Sequence, residues 1–179
     1  MKRLTLLRHA KSDWDDPVAR DFDRPLNGRG QRAAVTVGKH AATIGLGIDY
    51  IIASPAVRVV ETLDAFLPAA GLDEIEPHWD RRIYLASGAT LIDVASELPD
   101  SADHALMSGH NPGLEDLILD LTQAGDPHRA TVEDKYPTAA LATLVFAIDR
   151  WSDMPTTKAT IERLILPREL DPALGPDAR

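Results

Sequence analysis

Three short stretches of this chain end on residues that could act on a phosphoryl group. They are Leu4-Thr5-Leu6-Leu7-Arg8-His9, Ile51-Ile52-Ala53-Ser54-Pro55-Ala56-Val57-Arg58 and Leu106-Met107-Ser108-Gly109-His110. Each begins as an apolar run of strand length and turns polar where a buried strand would emerge. In open α/β sheets ligands collect at the carboxyl ends of strands. If the three strands are neighbours, Arg8, Arg58, His9 and His110 converge on one pocket.

That combination has a definite chemistry. Two guanidiniums offer bidentate forks that match phosphate oxygens, and nearby helix N-termini add N–H donors and positive potential. An imidazole is largely unprotonated near pH 7 and is then a competent nucleophile at phosphorus. A second imidazole, if protonated, stabilises charge on the group in transfer. Ser12 is placed to hydrogen-bond the same phosphate or to cap a turn. A metal site would need a set of carboxylates beside the histidines, and the pocket supplies arginines. The remaining histidines, His40, His78, His104 and His128, read as structural or exposed, with His104 facing solvent or a loop. Arg24, Arg81 and Arg82 read as solvated or salt-bridged. The acids Glu115, Asp116 and Asp120 read as a wet helix face.

The elements that must hold these residues follow from periodicity. A first strand ends at Arg8, and Asp13 to Arg24 reads as a loop. Asn27 caps a helix from Gly28 to Ile44, whose Ala33, Ala34, Val37, Ala41 and Ile44 share one face and which Gly45 can end. Asp49 to Ala53 is a second strand, apolar on both sides and therefore central. Ser54 as N-cap and Pro55 at the first helical position then start a helix with a stripe of Ala56, Val59, Val60, Leu63 and Leu67. Arg58 lies one turn in, and its side chain leans back toward the strand end. A short strand near Ile75, a helix through Leu91, Val94, Ala95 and Leu98, and a strand from His104 to Ser108 come next. Asn111 can cap a helix carrying Leu114, Leu117, Ile118 and Leu121. A polar loop from Ala124 to Lys135 leads to paired antiparallel strands at Leu141–Ile148 and Thr160–Leu166. The expectation is an α/β fold, a three-layer α/β/α sandwich on a mainly parallel sheet with an antiparallel edge strand. One domain spans residues 1–167, and 168–179 is a loose C-terminal tail.

At 179 residues and 44% hydrophobic, the chain is long enough for one well-filled core and short for two. Cysteine is absent, which excludes disulfides, thiolate metal sites and thiol catalysis and is compatible with a reducing compartment. The N-terminal apolar run is too short for a signal peptide, and no run approaches membrane-spanning length, so a cytoplasmic location is expected. A formal charge of −9 opposes nucleic acid or an anionic membrane as partner. No Gly-rich loop follows the first strand, which opposes a nucleotide-binding fold.

Arg8-His9-Ala10, Arg24-Pro25-Leu26-Asn27-x-x-Gly30, Ser54-Pro55-x-x-Arg58-x-x-Glu61-Thr62 and Gly109-His110-Asn111-Pro112 together resemble the motifs of the histidine phosphatase superfamily, the phosphoglycerate mutase-like fold. Tyr136-Pro137-Thr138-Ala139-Ala140 and Pro167-Arg168 resemble segments of its compact SixA-type phosphohistidine phosphatase branch. The resemblance implies that His9 is phosphorylated and then hydrolysed by water, while Arg8, Arg58 and His110 hold the phosphoryl group. It implies no cofactor and no metal. Ala10 stands where the family usually has glycine, and Asp15 where mutase-like members often have asparagine. Asp80 lies where mutase-like relatives carry a proton-donating acid, and is the tentative acid here.

The span between the Arg58 helix and Gly109 is too short for the large cap insertions of mutases and phytase-like relatives. An open pocket suits a phosphate displayed on a macromolecule, so the expected partners are a protein bearing phosphohistidine and inorganic phosphate. The alternatives are a phosphomonoesterase or mutase acting on a small phosphorylated metabolite, and a non-catalytic phospho-ligand-binding module.

Overall fold

A computed structural model of the chain describes residues 1–176. Six strands form one mixed sheet: β1 (Lys2–Arg8), β2 (Tyr50–Ala53), β3 (His78–Trp79), β4 (His104–Gly109), β5 (Leu141–Phe146) and β6 (Thr160–Ile165). Their order across the sheet is β3-β2-β4-β1-β5-β6. Strands β1, β2, β3 and β4 run parallel, and β5 is antiparallel to both of its neighbours, β1 and β6. The antiparallel strand therefore sits one place in from the edge, because β6 returns alongside β5 in the direction of β1. The short strand expected near Ile75 forms at His78–Trp79 instead.

Helices cover both faces of the sheet. Helix α1 (Gly28–Thr43) and helix α2 (Val57–Ala70) bury Ala34, Val37, Ala41, Val59, Leu63 and Phe66 against one face. Helix α3 (Gly88–Ser96) and helix α4 (Gly113–Leu121) bury Leu91, Val94, Leu114, Leu117 and Ile118 against the other. The structure is thus an α/β/α sandwich. Asn27 caps α1 as its spacing predicts, its side chain accepting from Gly30 N at 2.8 Å. Two caps differ. Helix α2 starts at Val57 without a side-chain cap and α4 starts at Gly113 after Pro112. Ser54 and Asn111 are engaged in the pocket described below. The polar stretch after Ala124 also contains a short helix, α5 (Arg129–Asp134), seated by buried Val132.

The C-terminal segment is ordered as far as Pro176 rather than loose. Pro167 is buried at the start of helix α6 (Pro167–Leu170), a 3-10 turn follows at Pro172–Leu174, and Leu170 and Leu174 pack against the core beneath α1 and α2. The apolar residues at spacing four in an otherwise proline-broken stretch are what seat it. Residues 177–179 of the expected tail lie outside the described residues.

What joins the strand ends to the helices is backbone contact at small residues. A Cβ on Gly30 would lie 2.1 Å from the Lys11 carbonyl oxygen. Asn27 N donates to that same oxygen at 3.0 Å and Asp13 N to Pro25 O at 2.8 Å, so the two segments run side by side. Gly30→Ala should therefore lower the unfolding free energy by about 1–3 kcal/mol, the cost of overpacking a close contact. Urea denaturation checks it, and an unchanged midpoint would contradict the close approach.

Candidate active site

The parallel register of β1 with β4 pairs Arg8 with Gly109, and that of β2 with β4 pairs Ala53 with Ser108. His9, Ser54 and His110 therefore leave the sheet side by side. His9 N donates to Gly109 O and Ser54 N to Ser108 O, both at 3.1 Å, extending the ladder one residue past the strand ends. The His9 and His110 ring centroids are 5.3 Å apart.

His9 is buried, and its Nδ1 lies 2.7 Å from the Ala10 carbonyl oxygen. A carbonyl only accepts, so Nδ1 carries the hydrogen and Nε2 keeps its lone pair. Burial is the main reason its pKa falls to about 3. The Ala10 bond opposes that fall, and the charges of Arg8, Arg58 and Arg24 add to it. The ring is thus neutral across the physiological range. Ala10 replaces glycine without strain, because its backbone is not at positive φ and its N–H donates to Thr62 Oγ1 at 2.9 Å.

His110 is also buried, and its Nε2 lies 2.8 Å from Ser54 Oγ. Burial first, then His9 and Arg58, lower its pKa to about 3. The sequence argument allows a protonated companion; in the structure the ring is neutral. Either atom of that contact can be the donor, so it does not fix the tautomer, and His110 Nδ1 has no hydrogen-bond partner among the described residues.

Arg8 and Arg58 line the same cavity as His9 and His110. Arg8 Nη1 donates to Tyr136 O at 3.0 Å. Arg58, only 2% exposed, donates from Nη1 to Asp21 O at 2.9 Å and from Nη2 to Asp21 Oδ2 at 3.0 Å. Ser12 is buried and accepts from Arg24 Nη1, while Arg24 Nη2 donates to Asp21 Oδ1 at 2.6 Å. Arg24 is therefore salt-bridged as expected, yet it is buried and lines the same cavity as Arg8 and Arg58. The Nε atoms of Arg8, Arg24 and Arg58 have no hydrogen-bond partner among the described residues.

Asp80 is not part of this assembly. It caps the turn at Arg81–Ile83 and pairs with Arg82 at 2.7 Å, lining a separate cleft with Tyr50, His78 and Glu97. Its carboxyl is held below the ordinary carboxylate range first by the Arg82 hydrogen bond, which opposes its carrying a proton near neutral pH. The capture is local, by a cation two residues on. Asp15 is exposed and does not line the cavity. Among the described residues, the carboxylate that does line it is Asp21, in the turn Asp21–Asp23. Partial burial would raise the Asp21 pKa, but hydrogen bonds from Arg24 and Tyr84 and the charge of Arg58 outweigh it and hold it at about 2. Asp21 is a fixed anion that aligns two arginines. Its place inside an Asp- and Arg-dense loop carried no periodic signal, although the adjacent Arg24-Pro25-Leu26-Asn27 motif marked the loop's end.

Other expectations differ in the same way. Asn111 Nδ2 donates to Tyr136 O at 2.9 Å, fastening the β4 end to the segment before β5. Glu115 accepts from Tyr136 N at 3.3 Å, so it is not simply a wet surface. His104 turns inward, 2.7 Å from Thr5 Oγ1, and burial lowers its pKa to about 4. The whole cavity encloses about 570 Å³, and Arg168, Leu174 and Gly175 of the C-terminal segment form one of its walls. No helix among the described residues is long and apolar enough to cross a membrane, and no group of three or more His, Asp or Glu side chains there could hold a metal ion.

Residues 4–115 match the model of the histidine phosphatase superfamily, branch 1, and the chain belongs to that superfamily. It is 30% identical over 165 residues to an uncharacterized protein of Mycobacterium tuberculosis, spanning 90% of this chain and 100% of that one. Among solved structures it is similar to a protein of Agrobacterium tumefaciens provisionally named SixA phosphohistidine phosphatase. The two share 27% identity with a TM-score of 0.77, over 92% of this chain and 97% of that one. The protein histidine phosphatase SixA complexed with tungstate shares the fold, with a TM-score of 0.73 and 18% identity over 94% and 99% of the two chains. Members of the superfamily are phosphatases and mutases.

The positions of the two acids separate their roles. Asp21→Asn should lower kcat/KM on any phosphorylated substrate by about tenfold, roughly 1.4 kcal/mol of lost transition-state alignment, by loosening Arg24 and Arg58. Asp80→Asn should change it less than about twofold, on the same energy scale. Steady-state kinetics with p-nitrophenyl phosphate checks both, and the reverse order would contradict the assignment.

Proposed function

We propose that the chain is a metal-independent phosphatase that works through phospho-His9, with protein phosphohistidine as its substrate class. One observation carries the reading. The guanidiniums of Arg8, Arg24 and Arg58 line one cavity with His110 and with His9, an imidazole whose Nε2 is unprotonated. A tetrahedral dianion beside Nε2 fits their number and charge.

In the proposed reaction the Nε2 lone pair of His9 forms a bond to phosphorus as the bond from phosphorus to the substrate's leaving atom breaks. Arg8, Arg24, Arg58 and His110 take the charge on the phosphoryl oxygens. Water then attacks phospho-His9, releasing inorganic phosphate and a proton and restoring the free ring. The leaving group needs a proton, and the carboxylate in the cavity, Asp21, is ionised and committed to arginines. A departing imidazole takes its proton readily from solvent, whereas an alkoxide needs a donor. That difference favours phosphohistidine over a sugar or alkyl phosphate. Trp14 and Leu85, 76% and 56% exposed on the cavity lining, add apolar surface of the kind a protein partner covers.

One feature favours the second reading, a small phosphorylated metabolite. The wall built by Arg168 and Leu174 encloses more of the cavity than the sequence predicts. A panel of phosphohistidine peptide, phosphoserine peptide and 3-phosphoglycerate in the presence of EDTA ranks the two. The expected result is a kcat/KM on phosphohistidine at least tenfold above the others, with His9→Ala lowering it by more than 1,000-fold, about 4 kcal/mol of barrier. A wild-type rate in His9→Ala would end the mechanism, and a preference for 3-phosphoglycerate would transfer the site to the second reading.

A further inference from the structure

Trp14 is the most exposed large apolar side chain in the cavity lining, and it is not loose. The Arg24 guanidinium carbon lies 3.5 Å from its ring centroid, a stacked cation–π contact. Arg24 is itself 7% exposed and anchored to Asp21 and Ser12. The indole therefore rides on one of the guanidiniums that the site directs at the phosphoryl group, while 76% of its accessible surface stays open. Leu85, 56% exposed and held at a φ of +49°, lines the same mouth.

In-line attack by His9 places the leaving group on the far side of phosphorus from the attacking ring, within the cavity that Trp14 also lines. We infer that Trp14 is a platform for a planar aromatic leaving group, so that the site discriminates aromatic from aliphatic phosphoryl donors at the group being expelled. Aromatic pairs gain from offset or edge contact beyond simple burial. A ring prefixed by a buried cation gives that contact without first losing rotamer freedom. An imidazole is such a group; a serine or glycerol oxygen is not.

The inference rests on the phosphoryl-binding reading of the cavity and not on turnover of phosphohistidine, so its test uses non-hydrolysable probes. Dissociation constants of phenylphosphonate and methylphosphonate, each displaced by inorganic phosphate, are measured by calorimetry for the wild type, Trp14→Ala and Trp14→Phe. The reading quantity is the methyl-to-phenyl ratio, which cancels any general loosening of Arg24. The wild-type ratio should be about five to ten, the scale of one stacking contact. It should fall at least about threefold in Trp14→Ala, within the same range, and stay within about twofold of wild type in Trp14→Phe. An unchanged ratio in Trp14→Ala overturns the platform. Absence of phosphate-displaceable binding overturns it together with the phosphatase reading. Failure of the wild type on phosphohistidine peptides with the ratio behaving as stated overturns the substrate assignment alone.

Discussion

An imidazole packed among guanidiniums can be buried only if it stays uncharged, and the rest of this pocket follows from that constraint. His9 has a low pKa because desolvation and three cations all act against a proton. The carbonyl of Ala10 fixes which nitrogen keeps its hydrogen. Nucleophilicity and the phosphate cradle are thus one arrangement, since the cations that would bind the phosphoryl group also help keep the attacking nitrogen free. The same constraint makes folding pH-dependent. Below pH 6.5 the unfolded chain binds protons on His9 and His110 that the folded chain does not take up until about pH 3. Stability is therefore lost as pH falls through that interval.

The guanidiniums would repel one another if nothing intervened, and Asp21 is what intervenes. Its two carboxylate oxygens and its carbonyl receive Arg24 and Arg58. The loops bearing these residues are fastened by the remaining motif side chains. Thr62 Oγ1 accepts from Ala10 N and donates to Arg58 O, tying the end of β1 to α2. Glu61 accepts from Leu26 N at 3.2 Å, tying α2 to the loop before α1. On the other side, Ala139 N donates to both the Arg8 and His9 carbonyls, and Tyr136 OH donates to Leu6 O.

How much of this was legible in the sequence depends on the range of the interaction. Arg8, His9, Arg58 and His110 were legible because each stands just past an apolar run, and parallel register turns that into proximity. The Asn27 cap was legible because its partner is three residues away. Ser54 and Asn111, expected as caps, do not cap their helices because the same side chains have partners far along the chain, in His110 and Tyr136. Asp80 looked available because its neighbourhood resembled an acid's position, yet Arg82 two residues on captures it. Asp21 and Arg24 were hidden in a loop without periodicity, and their roles exist only once α2 delivers Arg58. The C-terminal wall escaped for a related reason. Prolines mark the breaks in a segment but not the two leucines that pin it down.

Membership of the histidine phosphatase superfamily sets the class of chemistry, and the neutral, Nδ1-protonated ring of His9 is the physical claim on which the proposed mechanism stands. The most direct test is an NMR pH titration of the protein with ¹⁵N-labelled histidine, assigned by comparison with His9→Ala. The account predicts a His9 signal of the Nδ1–H tautomer that shows no protonation midpoint between pH 5 and 8, in keeping with a pKa of about 3. A midpoint near 6.5, or a proton on Nε2 at neutral pH, would contradict it.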